Sequence, residues 1–132
     1  NNIDSVLILG SGGAAKTISY FCINNNIPYN IVSRKQSNSY ISYNSLNEKY
    51  FINKVLIVNC TPVGTFPDID LCPDLPYNLI NKENVIFDLV YNPSETLLMK
   101  KGKERGCKTL NGHEMLRFQA EKSLELWAKT FK

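Results

Sequence analysis

Continuous apolar runs at Val6–Leu9 and Val55–Val58 read as strands buried on both faces, as parallel sheets require. A third run, Val85 to Val90, is broken only by Asp88, and Tyr29–Val32 forms a shorter one. Between the first two strands, Ala14, Ala15, Ile18, Phe21 and Cys22 recur three and four apart, which predicts one face of a helix. Asn24-Asn25-Asn26 stops that helix before Pro28. Tyr40–Tyr43 is expected as a short extra strand. Its connection of about six residues is too short for a parallel crossover, which takes a dozen or more, so this part of the sheet should be reduced or irregular. Phe66 to Pro76, with three prolines and three aspartates, reads as loop. Ser94 is placed to cap a helix reaching about Gly102, with Glu95 in its first turn and Lys100, Lys101 and Lys103 near its end. Cys107–Leu110 is a last short strand. From Gly112 onward Leu116, Ala120, Leu124, Trp127 and Phe131 mark a long amphipathic helix.

Strands alternating with helices imply βαβ units: an α/β, Rossmann-like, doubly wound and mostly parallel sheet flanked by helices. Ligands of such sheets lie beyond the carboxyl ends of the strands, near the point where strand order reverses. The loops after Leu9, Val32, Val58 and Val90 therefore share the rim where chemistry is sought.

The first of those loops is the most informative. Gly10-Ser11-Gly12-Gly13-Ala14-Ala15 follows the strand directly and opens the helix. Gly10 suits the tight turn, Gly12 leaves room for the backbone to approach a pyrophosphate, and Ala15 lets the helix pack close to the sheet. The helix start presents free amides and a partial positive charge to an anion. The second rim loop, Ser33-Arg34-Lys35, lies about twenty residues past the glycines, where an acidic residue would select NAD. No acid stands there. Arg34 offers a fork of donors, Lys35 a point charge and Ser33 a hydroxyl, a set suited to the 2′-phosphate of NADP.

Composition bounds the rest. At 132 residues the chain is read as one domain, 1–132, and its 43% apolar and 20% charged content is that of an ordinary globular protein. A net charge of +3 with no basic stripe gives no footprint for nucleic acid, and no apolar stretch approaches the roughly 20 residues of a membrane span. Cys22, Cys60, Cys72 and Cys107 are widely spaced, without a C-x-x-C pair, and read as reduced packing thiols in a cytoplasmic protein rather than a metal site. The chain opens on Asn1-Asn2-Ile3-Asp4 without Met, the appearance of a cut at a domain boundary, although removal of an initiator Met would read the same.

Taken together, these motifs resemble the nucleotide-binding half of the shikimate dehydrogenase family along essentially the whole chain. The family's G-x-G-G-A-A turn matches Gly10 to Ala15, and its N-R-T-type loop resembles Ser33-Arg34-Lys35. N-x-T-P-x-G-M matches Asn59 to Gly64, with Thr65 in place of Met. The Asp-x-x-Tyr-x-Pro-x-x-Thr-x-x-Leu stretch appears as Asp88, Tyr91, Pro93, Thr96 and Met99, the last in place of Leu, and G-x-x-M-L-x-x-Q as Gly112, Met115, Leu116 and Gln119.

The resemblance implies NADP-linked, reversible reduction of 3-dehydroshikimate to shikimate, a step of aromatic amino-acid biosynthesis. It implies that Gly10, Ser11, Gly12, Gly13 and Ala14 cradle the pyrophosphate and that Ser33, Arg34 and Lys35 hold the 2′-phosphate. Asn59 and Thr61 would line the cofactor near its nicotinamide ribose, and the backbones of Leu89 and Gly112 would face the nicotinamide. Tyr91 and Gln119 would reach the substrate across an interdomain cleft. The Lys–Asp pair that moves the proton belongs, by the same resemblance, to an N-terminal substrate domain that is not in this chain, so no catalytic residue is assigned here. Binding of NADP without turnover is expected, and the cleft side around Tyr91, Met115 and Phe118 could self-associate. Asp88, inside an apolar run, needs partners if buried and is expected to hold loops together. His113 is not required by the family pattern and is read as a bystander. A stand-alone NADP-binding or sensing module, and a quinate-preferring relative, both stay open.

Overall fold

The computed structural model describes residues 3–35 and 37–113. Five strands, β1 (Ser5–Leu9), β2 (Tyr29–Val32), β3 (Val55–Asn59), β4 (Val85–Asp88) and β5 (Lys108–Asn111), form one sheet in the order β2-β1-β3-β4-β5. Every pairing is parallel. Helix α1 (Gly13–Asn24) joins β1 to β2, and α2 (Leu97–Glu104) joins β4 to β5. The sheet reverses direction of growth between β1 and β3, the switch point of a Rossmann-like doubly wound fold.

Alternation along the strands builds two cores. Val6 and Ile8 of β1 and Val58 of β3 pack with Ala15 and Cys22 of α1. Leu7, Leu9, Val55, Ile57 and Ile86 point the other way and pack with Leu98 of α2. A period of two sends successive side chains to opposite faces, and both faces are covered at the centre of the sheet, so β1 and β3 carry continuous apolar runs there, whereas edge strand β5 alternates exposed and half-buried residues.

The expected strand at Tyr40–Tyr43 is reduced to one bridge: Ile41 pairs in parallel with Val32, outside β2. The amide of Ile41 donates to the Ile31 carbonyl (2.8 Å), and Ser33 N donates to the Ile41 carbonyl (3.0 Å). Single-turn 3-10 segments at Tyr43–Ser45 and Glu48–Tyr50 follow. Leu46 and Phe51 from this stretch fill the core where a crossover helix would otherwise lie. The short connection leaves no room for a full strand and return.

Three other expectations shift. Of the predicted face of α1, Ala15, Ile18 and Cys22 turn inward, but Ala14 and Phe21 face solvent. Ser19 is buried instead, its hydroxyl donating to the Lys16 carbonyl (3.0 Å), which removes the penalty of burying it. The cap of α2 is Thr96, not Ser94; its oxygen accepts from Met99 N, and Glu95 lies outside the helix, paired with Lys103. Strand β4 ends at Asp88, two residues early, because Leu89 to Tyr91 already belong to the rim loop. Met115, Leu116, Phe118, Gln119, Ala120, Leu124, Trp127 and Phe131, with the long helix they mark, lie outside the described residues.

Candidate functional site

The strands end on one line. Leu9 is in register with Val32 on one side and Asn59 on the other, Asn59 with Asp88, and Asp88 with Asn111. The next residue of each chain segment is Ser33, Gly10, Cys60, Leu89 or Gly112. Almost every residue singled out from the sequence therefore leaves the sheet at one edge, although the five segments span a hundred positions.

At the centre of that edge, Gly10 has φ of +105°, a conformation L side chains rarely adopt, and donates its amide to the Val32 carbonyl (2.8 Å). A Cβ there would sit 3.0 Å from the Thr61 methyl and 3.4 Å from the Cys60 carbonyl. The glycine lets the loops after β1 and β3 touch. Gly12 caps α1 with φ of −85° and no side-chain cap, and the first turn holds no acidic residue. A Cβ at Gly12 or Gly13 would meet nothing within 4 Å. The protein's own packing does not demand glycine at either place. The open space and uncapped amides fit a phosphate group coming up to the turn.

Ser33 is buried, and its hydroxyl donates to Ser11 Oγ (3.2 Å) while accepting from Lys35 N (3.1 Å). It ties the glycine turn to the basic loop. Arg34 and Lys35 are exposed beside it, and neither is in an ion pair among the described residues, where Lys103–Glu95 is the one salt bridge. Burial pushes the Tyr43 phenol up, and the Arg34 charge opposes that. The structure thus brings Ser11, Ser33, Arg34 and Lys35 to one corner, with the guanidinium and ammonium free to meet an anion.

On the other side of Gly10 lies a closed polar network. Asp88 is fully buried. Its Oδ1 accepts from Asn59 Nδ2 and from Val90 N, both at 3.0 Å, and its Oδ2 accepts from Thr96 Oγ1 at 2.6 Å. Asn59 Oδ1 in turn accepts from Thr61 N (3.1 Å) and Thr61 Oγ1 (2.6 Å), and Thr61 Oγ1 accepts from Val63 N (3.2 Å). No buried side-chain polar atom among the described residues lacks a partner. Burial pushes the Asp88 carboxyl up, while the bonds from Thr96, Val90 and Asn59 pull it back. The polar side chains of Asn59 and Thr61 are held inside this network, so what they offer a ligand is the shape and backbone of their loop. Cys60, between them, is pushed up to about 12 by burial and by the Asp88 charge. It is an inert thiol at neutral pH.

At the β4–β5 end, Gly112 lies so close to Leu89 that a Cβ would fall on the Leu89 carbonyl. Asn111 Nδ2 donates to the Ser94 carbonyl (2.9 Å) and its Oδ1 accepts from His113 N (3.0 Å). Tyr91 is 56% exposed, its ring edge-to-face with His113 at 5.8 Å. This pairing, between residues 22 apart in sequence, had no signal beyond the proximity of each to a strand end. Gln119 lies outside the described residues. No cluster able to hold a metal ion occurs among the described residues, and none of their helices is long and apolar enough to cross a membrane.

No family model matches the chain. Individual proteins do. It is 36% identical to a shikimate dehydrogenase (NADP(+)) of Methanococcus aeolicus, in an alignment covering 93% of this chain and 49% of that protein. Shikimate dehydrogenase 1 of Peptoclostridium difficile superposes with a TM-score of 0.77 at 34% identity, over 96% of this chain and 48% of the other. The shikimate 5-dehydrogenase of Thermus thermophilus, solved in complex with NADP(H) and shikimate, superposes at 0.76 with 27% identity, covering 92% and 48%. The chain spans about half the length of the curated relatives it matches.

Proposed function

We propose that this chain, which belongs by sequence and fold with the shikimate dehydrogenases along about half their length, is their NADP-binding unit. The observation that carries the reading is the single rim. A glycine turn with open space before its amides, a basic corner free of ion pairs among the described residues and a glycine against the Leu89 carbonyl all lie beyond one register line. On this reading the amides of Gly10 to Ala14, with Ser11, take the pyrophosphate. Arg34 and Lys35 take the 2′-phosphate beside the Ser33–Ser11 brace. The loop shaped by Asn59 and Thr61 lies along the nicotinamide ribose, and the backbones of Leu89 and Gly112 face the ring.

When bound, NADPH supplies a hydride, here for reduction of 3-dehydroshikimate to shikimate. The chain's part is to bind and orient. Tyr91, exposed at the rim, and Gln119 are assigned to the substrate, which is shared with the half of the relatives that this chain does not match. The resemblance assigns the proton-transferring Lys–Asp pair to the half of the relatives that this chain does not match, and on this reading the chain by itself binds cofactor without turnover. The four free cysteines suit a reducing, cytoplasmic setting. Exposed Tyr91, next to the loop carrying exposed Phe66 through the 2.8 Å bond from Phe66 N to the Asn92 carbonyl, gives an apolar rim for the other half, or for self-association, to cover.

Titration calorimetry of the purified chain with NADP+ and NAD+ tests the reading. Saturable binding that favours the 2′-phosphorylated form is expected. A folded sample that binds neither would end it, and equal affinities would remove the assignment of Arg34 and Lys35.

A further inference from the structure

Asp88 is a carboxylate without a counter-charge. It is fully buried, three donors reach it, and no lysine, arginine or histidine pairs with it among the described residues. The donors are fixed in their sense. Asn59 uses its oxygen on Thr61, so its amide nitrogen must face Asp88, and Val90 offers a backbone N–H. Hydrogen bonds of this kind support the ionised form, yet a buried charge still calls for an opposite charge nearby.

The place where that charge could arrive is the adjoining rim. Asp88 stands on the register line beside Asn59 and Asn111, and the next residue, Leu89, has its carbonyl against Gly112. In the reading given above, on which this inference rests, the backbones of Leu89 and Gly112 face the nicotinamide. That ring is cationic when oxidised and neutral when reduced, while the rest of the cofactor is the same in both forms. We infer that Asp88 is the fixed counter-charge to the oxidised nicotinamide, so that it sets the ratio of affinities for NADP+ and NADPH. Its hydrogen bonds position the loops; its charge selects the redox state. A site that favours the oxidised form makes the bound reduced form a better hydride donor.

The test separates charge from architecture. NADP+, NADPH and 2′,5′-ADP, which lacks the nicotinamide, are titrated calorimetrically into the wild-type chain, Asp88→Asn and Thr61→Ala, with circular dichroism confirming each fold. Asp88→Asn is expected to lower the affinity ratio of NADP+ to NADPH by about fivefold or more, the scale a single charge exerts over several ångströms at an effective protein dielectric. Its affinity for 2′,5′-ADP should stay near wild type. Thr61→Ala loosens the same network at Asn59 and leaves all three bonds to Asp88, and so its charge, in place; it should move both dinucleotides together. If Asp88→Asn does not fold, Asp88→Ser, whose hydroxyl can still accept from Val90 N, replaces it. A ratio within 1.5-fold of wild type in the neutral variant, or a Thr61→Ala ratio shifted as far as that of Asp88→Asn, overturns the inference. Wild-type chain that binds 2′,5′-ADP but neither dinucleotide would overturn it too, whereas no binding of any of the three would bring down the cofactor reading beneath it.

Discussion

Replacing Gly10 by alanine should destabilise the domain by about 2 kcal/mol, and the reason can be divided into parts. The backbone at φ of +105° carries a penalty of roughly 1–2 kcal/mol for a residue with a Cβ. The new methyl would lie 3.0 Å from the Thr61 methyl. Thr61 cannot swing away freely, because its hydroxyl is anchored to Asn59 at 2.6 Å, and giving up that bond costs about 1 kcal/mol. Against these stands a gain of roughly 0.4–1 kcal/mol from a less flexible unfolded chain. Urea unfolding followed by circular dichroism reads the sum as a lower midpoint with an unchanged slope. Thr61→Ser removes the opposing methyl and keeps the hydroxyl, so the double variant should recover about 1 kcal/mol while the backbone share persists. Gly12→Ala, where the added methyl meets nothing, is the control and should unfold within about 0.5 kcal/mol of wild type. A Gly10→Ala midpoint equal to wild type, or no recovery in the double variant, would refute the account.

Gly12→Ala, neutral for stability, should nevertheless weaken NADP+ binding at least about tenfold by calorimetry, since the methyl would occupy the approach to the turn. Arg34→Ala should cost about 1.5 kcal/mol of NADP+ affinity, the worth of one charge-assisted contact, and leave NAD+ unchanged; an equal loss for both would place Arg34 elsewhere. Asp88→Ala strands the Asn59, Val90 and Thr96 donors and should lower stability by about 3 kcal/mol or more, read as a fall in the urea midpoint. Cys60, held protonated by a pKa of about 12, should resist iodoacetamide at pH 8 in the folded chain and react after denaturation, as peptide mass spectrometry would show.

What could be read from the chain was whatever local pattern alone dictates. The buried runs at Val6 and Val55, the turn from Gly10 to Ala15 and the prolines of Phe66–Pro76 each carry their own geometry, and all appear where the pattern places them. Asp88 announced its need for partners by sitting in an apolar run, but not their names: Asn59 ends the neighbouring strand β3 and Thr96 caps α2. The misplaced cap has the same origin. Ser94 and Thr96 both carry the right hydroxyl, and it is Asp88, at the end of β4, that engages Thr96. Phe21 failed because periodicity gives the width of an apolar stripe and not which of its edges meets the sheet. The Ser11–Ser33 brace and the Tyr91–His113 contact join residues on different strands' exits, and sequence spacing has no term for that.

The common register line also governs how the molecule should respond when something occupies its rim. A ligand that touches the exits of all five strands acts as one clasp across segments that otherwise meet only in neighbouring pairs, strand to strand and loop to loop. Amide exchange should therefore slow in β1 through β5 together, rather than in the loops alone, and heat resistance should climb with the logarithm of free ligand concentration. Occupancy and cohesion are, in this domain, two readings of one boundary.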